Sequence, residues 1–192
     1  MKHNESEKLL KSTELNQTKL KDILTQQDIT KSINDNLPFL LSIIPEIKNM
    51  IGFPHNHPHH HLDVWNHTLL ALEQSNNDFE IRLTLLLHDI GKPFSYQDEE
   101  VRHFHGHAKV SSEMSKVILK RLGYSEEFIT RISTLIELHD TKITEEDINN
   151  NLELTLLRLH IQECDSKAHN PDYVPKRLQY IEETRKLIKR QK

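Results

Sequence analysis

This chain has only four glycines in 192 residues, so it has few places to turn sharply, and each glycine falls at an end or a turn. Gly52 follows the apolar stretch Leu40–Met50, Gly91 follows Phe79–His88, Gly106 closes a polar loop and Gly123 follows His107–Leu122. Leucine and isoleucine dominate the apolar set, a balance that favours helices over strands. Hairpin signals and internal repeats are both missing from the pattern. The expectation is an all-α fold.

The polar punctuation divides the chain more finely. Asp63 is placed to cap a helix from Val64 to about Gln74, and Asp78 a helix from Phe79 to His88. A loop spans 94–106. Helices over His107–Leu122 and from Ser125 to His139 follow. Thr144 opens a short helix to Asn149 with capping-box spacing to Asp147. Leu152–Lys167 and Val174–Lys189 complete the set, with a short helix over Leu40–Met50 near the start. Residues 1–36 carry a sparser apolar pattern (Leu9, Leu10, Leu15, Leu20, Ile23, Leu24) that suits an amphipathic helical extension, packed on the body or mediating a homodimer. Trp65, Leu69, Leu72, Leu83, Leu86 and Leu135 are candidate core residues.

A formal charge of −4 gives the chain no overall attraction to nucleic acid or membrane. No DNA partner is expected. Lys116–Arg121 and Lys186–Lys192 are the local basic segments on which an RNA contact would rest. No apolar run approaches the roughly 18 residues of a membrane span, and Met1–Lys11 is too polar for a signal peptide. The lone Cys164 forms no internal disulfide and fits a reducing cytosol. These features point to a cytoplasmic chain.

Histidine is the outlier, with 14 residues in clusters. His88 and Asp89 end an apolar helix side by side, but neighbours on a helix point about 100° apart. A site built on them therefore needs ligands from elsewhere. His67, His107, His139 and Asp165 each lie on an apolar helix or near a helix end, so converging helices would gather four histidines and two aspartates. Mixed imidazole and carboxylate ligation suits iron, manganese, cobalt, nickel or zinc rather than an all-oxygen magnesium or calcium cage. Six ligands exceed the need of one tetrahedral ion. A pair of divalent ions about 3.5–4 Å apart, bridged by a carboxylate, would use them and suit phosphate-ester hydrolysis.

In order, His67, His88-Asp89 and Asp165 resemble the H…HD…D signature of the HD-domain metal-dependent phosphohydrolases. Three blocks are similar to the HD domain of bacterial CCA-adding tRNA nucleotidyltransferases: His60–Leu69, Leu86–Pro93 and the Phe104–Ala108 turn with Ser111 downstream. The resemblance covers roughly residues 45–170 and implies a helical HD bundle over 37–192. It implies a first metal site of His67, His88, Asp89 and Asp165, with Asp89 the bridging carboxylate, and a second completed by His107 and His139. It also implies that Lys92 contacts the substrate phosphate.

Residues 1–192 hold no glycine-rich phosphate loop with paired carboxylates, so a stand-alone HD domain is expected rather than a CCA-adding enzyme. Ile90-Gly91-Lys92 replaces the acidic pair of alarmone hydrolases, and no GYP-type motif follows His107. The expected activity is a metal-dependent phosphohydrolase for a nucleotide or RNA phosphoester, either a phosphomonoesterase or a 2′,3′-cyclic phosphodiesterase. Asp89 and Lys92 would carry the chemistry. His61 is the candidate for the phosphate pocket, and His61 or His107 for protonating the leaving oxygen. Asp140 is read as orienting a ligand or capping a turn, and Arg102, His103 and His105 as an anion-binding rim. His55, His57, His59 and His60 are read as loop residues. The alternative is a non-catalytic module that holds a nucleotide or an RNA end.

Overall fold

The computed structural model describes residues 2–190, so the last two residues of the basic tail Lys186–Lys192 lie outside the described set. Helices α1 (Lys2–Leu24), α2 (Ile29–Asp35) and α3 (Leu37–Ile43) come first, followed by a 3₁₀ turn over Pro45–Asn49. Then come α4 (Val64–Glu73), α5 (Phe79–Leu87) and the single turn α6 (Lys92–Ser95). After a two-residue hairpin, β1 (Gln97–Asp98) and β2 (Arg102–His103), the chain runs through α7 (His107–Arg121), α8 (Glu126–Glu137), α9 (Glu145–Asn150), α10 (Leu152–Lys167) and α11 (Val174–Arg190). The fold is an all-α bundle.

The caps account for these boundaries. Asp63, Asp78 and Ser125 each accept the backbone N–H three residues on, at 2.7, 3.0 and 3.3 Å. Each thereby satisfies an otherwise orphaned donor at a helix start. Thr144 and Asp147 exchange both bonds of a capping box. Two expectations need correction. The helix proposed over Leu40–Met50 is broken at Ile44 (φ −131°, ψ 71°), because a residue preceding proline is driven out of the helical region. The loop over 94–106 takes in the end of α6 and an antiparallel hairpin pairing Gln97 with His103. Its two-residue strands are too short and polar to show alternation. Side-chain contacts hold it instead: the Arg102 guanidinium stacks on Tyr96 and Phe53 and pairs with Asp98.

At the centre lies α5, buried at every position from Ile81 to Leu87. A helix buried on every side belongs in the middle of a fold, and α5 is packed by α1, α4, α8 and α10. The six proposed core residues all lie there, from Leu72, Leu83 and Leu86 at full burial to Leu69 at 9% exposure. Leu20, Ile23 and Leu24 of α1 enter the same core, whereas Leu10 and Leu15 are exposed and the side chain of Leu9 lies outside the described set. A smaller cluster of Ile143, Ile148, Leu159, Ile181 and Ile188 joins α9, α10 and α11.

A charged group of α5 sits deep in this packing. Arg82 of α5 is 2% exposed, and its guanidinium donates to the carbonyls of Leu24 (2.8 Å) and Gln26 (2.7 Å) and to the side chains of Asn77 and Ser75. It fastens the end of α1 to the central helix with neutral acceptors only. Replacing it by leucine would leave those carbonyls without a donor. Arg82→Leu is expected to lower the unfolding free energy by about 3 kcal/mol in a urea titration and to expose α1 to limited proteolysis first.

Candidate metal centre

The turn after α5 carries His88 and Asp89, with 0% and 1% of their surfaces exposed. Four other parts of the fold converge on it. His67 projects from α4, Asp165 from the last turn of α10, and His107 and His139 from the start of α7 and just beyond α8. Gly91 makes the approach of α7 possible. Its N–H donates to Ser111 Oγ at 2.9 Å, and a Cβ built there would lie 2.5 Å from the Ser111 nitrogen. Arg158 of α10 pins the segment around His139, donating to the carbonyls of Leu138, Thr141 and Lys142.

The six polar side chains form two linked groups about the Asp89 carboxylate. Asp89 Oδ2 lies 3.6 Å from His67 Nε2 and 3.3 Å from His88 Nε2. Asp165 Oδ1 completes that side, 2.9 Å from His67 Nε2 and 3.6 Å from His88 Nε2. On the other side, Asp89 Oδ1 lies 3.4 Å from His107 Nε2 and 3.9 Å from His139 Nε2. The last two nitrogens are 3.3 Å apart. Two atoms bound to one ion at about 2.1 Å sit about 3 to 3.5 Å apart, so this spacing suits shared ligation. Asp140, exposed, reaches to 3.9 Å from His107 Nε2.

The imidazoles share one orientation. Nδ1 of His67, His88, His107 and His139 donates to the carbonyl of Ala168, Leu85, Phe104 and Ile136 respectively, at 2.7–3.1 Å. Each bond fixes the tautomer and presents Nε2 to the centre, the arrangement in which histidine ligates metals. His88 Nε2 and Asp89 Oδ1 are buried with no hydrogen-bond partner of their own, and Asp89 Oδ2 has the Lys92 ammonium beside it. Orphaned buried polar atoms are costly. A cation at the centre would satisfy both orphans, and the donor set of imidazoles and carboxylates fits a borderline divalent ion.

Charge is balanced by protons and by Lys92 when no cation is there. Burial disfavours the His88 imidazolium, but the adjoining Asp89 and Asp165 carboxylates outweigh it and push His88 up to about 10. Burial likewise opposes ionisation of Asp89, yet His88 and Lys92 hold it well below the usual carboxylate range. Asp165 is held low against burial by His169, His67 and His88. Burial, with the charges of His88 and His107, takes His139 down to about 4, and His107 is also lowered, chiefly by burial. Ligand binding to a cation would therefore displace a proton from His88.

Lys92 is buried with its Nζ 2.7 Å from Asp89 Oδ2 and lines the cleft of about 340 Å³ above the centre. Arg102, His103 and His105 border the same cleft. A second cleft of about 620 Å³ adjoins it between α10 and α11, with Asp165, His139 and Arg177 common to both.

His61 departs from expectation: it is exposed and does not line either cleft. The residues inside are its neighbours. His57, His59 and His60, read above as loop residues, line the cleft, and His55 is buried behind it. Two further residues reach the site unannounced by the sequence: His169, whose Nδ1 donates to the Asp165 carbonyl at 2.8 Å, and Arg177, whose Nη2 lies 3.4 Å from Asp165 Oδ2. His169 stands four residues after Asp165, a spacing that places two side chains on one helix face. Arg177 offered no comparable signal.

A family model described as HD domain matches residues 59–180 of this chain. The chain belongs to the HD-domain family. Among the curated relatives of this chain, the CC-adding tRNA nucleotidyltransferase of Thermus thermophilus is 34% identical over 111 residues, 54% of this chain and 25% of that protein. The A-adding tRNA nucleotidyltransferase of Deinococcus radiodurans is 33% identical over 112 residues, 54% of this chain and 26% of its own. A multifunctional CCA protein of Legionella pneumophila is 27% identical over 128 residues, 59% and 31% respectively. The chain thus spans about a quarter to a third of the length of these relatives.

Gly91→Ala tests how the HD turn is assembled. The added methyl would press on the backbone of Ser111 and on the His107 carbonyl, forcing α7 away. A loss of about 1–3 kcal/mol in unfolding free energy is expected, the usual cost of overpacking, with a lower metal content by elemental analysis.

Proposed function

We propose that this HD domain is a metal-dependent phosphohydrolase acting on a nucleotide or an RNA-type phosphoester, as a phosphomonoesterase or a 2′,3′-cyclic phosphodiesterase. The observation that carries the reading is Asp89: one carboxylate with its two oxygens turned to two sets of histidine nitrogens, and with an ammonium beside it. A candidate ligand set of His67, His88, Asp89, Asp165, His107 and His139 holds one or two divalent transition-metal ions. Bound there, such an ion supplies an acidified water near neutral pH and Lewis acidity toward a phosphoryl oxygen.

The remaining work falls to the chain. Lys92 offers positive charge at the cleft floor, where a non-bridging phosphoryl oxygen gains charge during attack. Arg177 faces it from α11, beside Asp165. Burial of His67, His88 and Asp89 keeps bulk water off the floor and strengthens both interactions. The larger cleft between α10 and α11 has room for the organic part of an ester. The relatives are named for tRNA nucleotide addition, which supports nucleotides and RNA ends as the substrate class. Among the described residues, no helix is long and apolar enough to cross a membrane.

The test begins with protein purified without a chelating column and assayed for bound metal. It is then offered phosphomonoesters, phosphodiesters and 2′,3′-cyclic nucleotides with manganese, iron, cobalt, nickel or zinc. Turnover with at least one pairing is expected, with Asp89→Asn and Lys92→Met each lower by at least about 10²-fold, the scale of a lost electrostatic contact to the transition state. Ligand recovered intact from metal-loaded protein under every condition would replace this reading with a non-catalytic nucleotide- or RNA-end-binding module. A second measurement concerns stability. Because only the folded chain assembles the site, metal at 100 times its dissociation constant stabilises the protein by about 2.7 kcal/mol. The melting temperature should rise with metal in the wild type and stay fixed in Asp89→Asn.

A further inference from the structure

The histidine-rich loop of residues 53–63 supplies none of the six candidate ligands, yet it closes over the centre and buries one of its imidazoles. His55 is 1% exposed. Its Nδ1 donates to the Leu62 carbonyl at 2.7 Å, so its Nε2 carries a lone pair and can only accept. The group facing that lone pair is the Lys92 ammonium, 3.0 Å away.

We propose that His55 is the positioning residue for Lys92, holding its ammonium so that one hydrogen is left for an anionic phosphoryl oxygen in the cleft. An ammonium has three donors. His55 Nε2 takes one, and the charge of Asp89 Oδ2, at 2.7 Å, draws the second. The third is left for the cleft that Lys92 lines. Without His55 the flexible lysine stem would keep only the pull of Asp89, and the ammonium would collapse onto that carboxylate.

The surroundings of His55 hold its ring as a fixture. It stacks on His60 with ring centres 3.8 Å apart and planes 5° apart, and meets Phe104 edge-on at 5.6 Å. The Lys92 ammonium lies 5.4 Å from the same Phe104 ring, a cation–π contact. The backbone reverses just after His55, at Asn56 with φ +48°, a conformation that asparagine tolerates better than most residues. Bonds from the Arg102 N–H to the Asn56 carbonyl and from the Val64 N–H to the Phe53 carbonyl, each 3.0 Å, tie the loop down on both sides.

This inference rests on the phosphate role given to Lys92 above, and the experiment separates the two. Binding of inorganic orthophosphate to metal-loaded protein is measured by calorimetry, and the Lys92 ammonium is followed by its ¹⁵N–¹H resonance in NMR. His55→Phe keeps the ring shape and removes the acceptor, whereas His55→Gln restores an acceptor and a donor. In His55→Phe, orthophosphate affinity is expected to fall about tenfold, the scale of one lost hydrogen bond to a charged group. The protected ammonium signal should be lost while metal content stays at the wild-type level. His55→Gln should recover most of the affinity. Wild-type affinity and an unchanged ammonium signal in His55→Phe would overturn the proposal, as would a glutamine variant as impaired as the phenylalanine one. A Lys92→Met control distinguishes the failures. Unchanged phosphate affinity there removes the phosphate role of Lys92, whereas lost affinity there beside a normal His55→Phe removes the positioning role alone.

Discussion

A carboxylate with almost no access to water sets the terms for the rest of this molecule. Asp89 is ionised in a place where burial opposes ionisation. The fold must therefore surround it with compensating groups from every direction. Those groups come from α4, α7, α10, the end of α8 and its own following turn. Losing any one approach would leave buried charge without compensation, which is among the most destabilising events a fold can suffer. Metal-site geometry and fold stability are thus the same problem here.

The supports of that arrangement lie in places with no chemistry of their own. α5 is buried on all sides from Ile81 to Leu87, so the HD turn is carried on a helix at the centre of the fold. Gly91 brings α7 close enough for His107 to face Asp89. Arg158 fixes the backbone around His139 through three carbonyls. Arg82 draws the end of α1 onto the same central helix, so part of the polar N-terminal segment shares the core that carries the site.

The sequence made the helices legible because their boundaries are local chemistry. Asp63, Asp78, Ser125 and Thr144 each act within three residues of themselves. His88-Asp89 stood out for the same reason, as a polar pair ending an apolar run. Pro45 carried a legible signal against a continuous helix, which the apolar density around it masked. What could not be read was pairing across the chain. Lys92 and His55 are 37 residues apart, and nothing in the run His55–His61 distinguishes the buried His55 from the exposed His61. Arg177 meets Asp165 only because α11 folds back on α10. The hairpin over residues 97–103 rests on stacking of Arg102 rather than on alternation.

The four imidazoles that face Asp89 are oriented by main-chain carbonyls rather than by side chains. A carboxylate in that outer position can be lost by a single substitution; a carbonyl is present whatever residue stands at 85, 104, 136 or 168. The orientation of the imidazoles is therefore written in the path of the backbone. Drift in the neighbouring sequence leaves it intact so long as the helix ends keep their places, whereas an insertion or deletion at those ends would turn the rings. At those four positions the side chain is free to change without turning a ring, while the spacing is not.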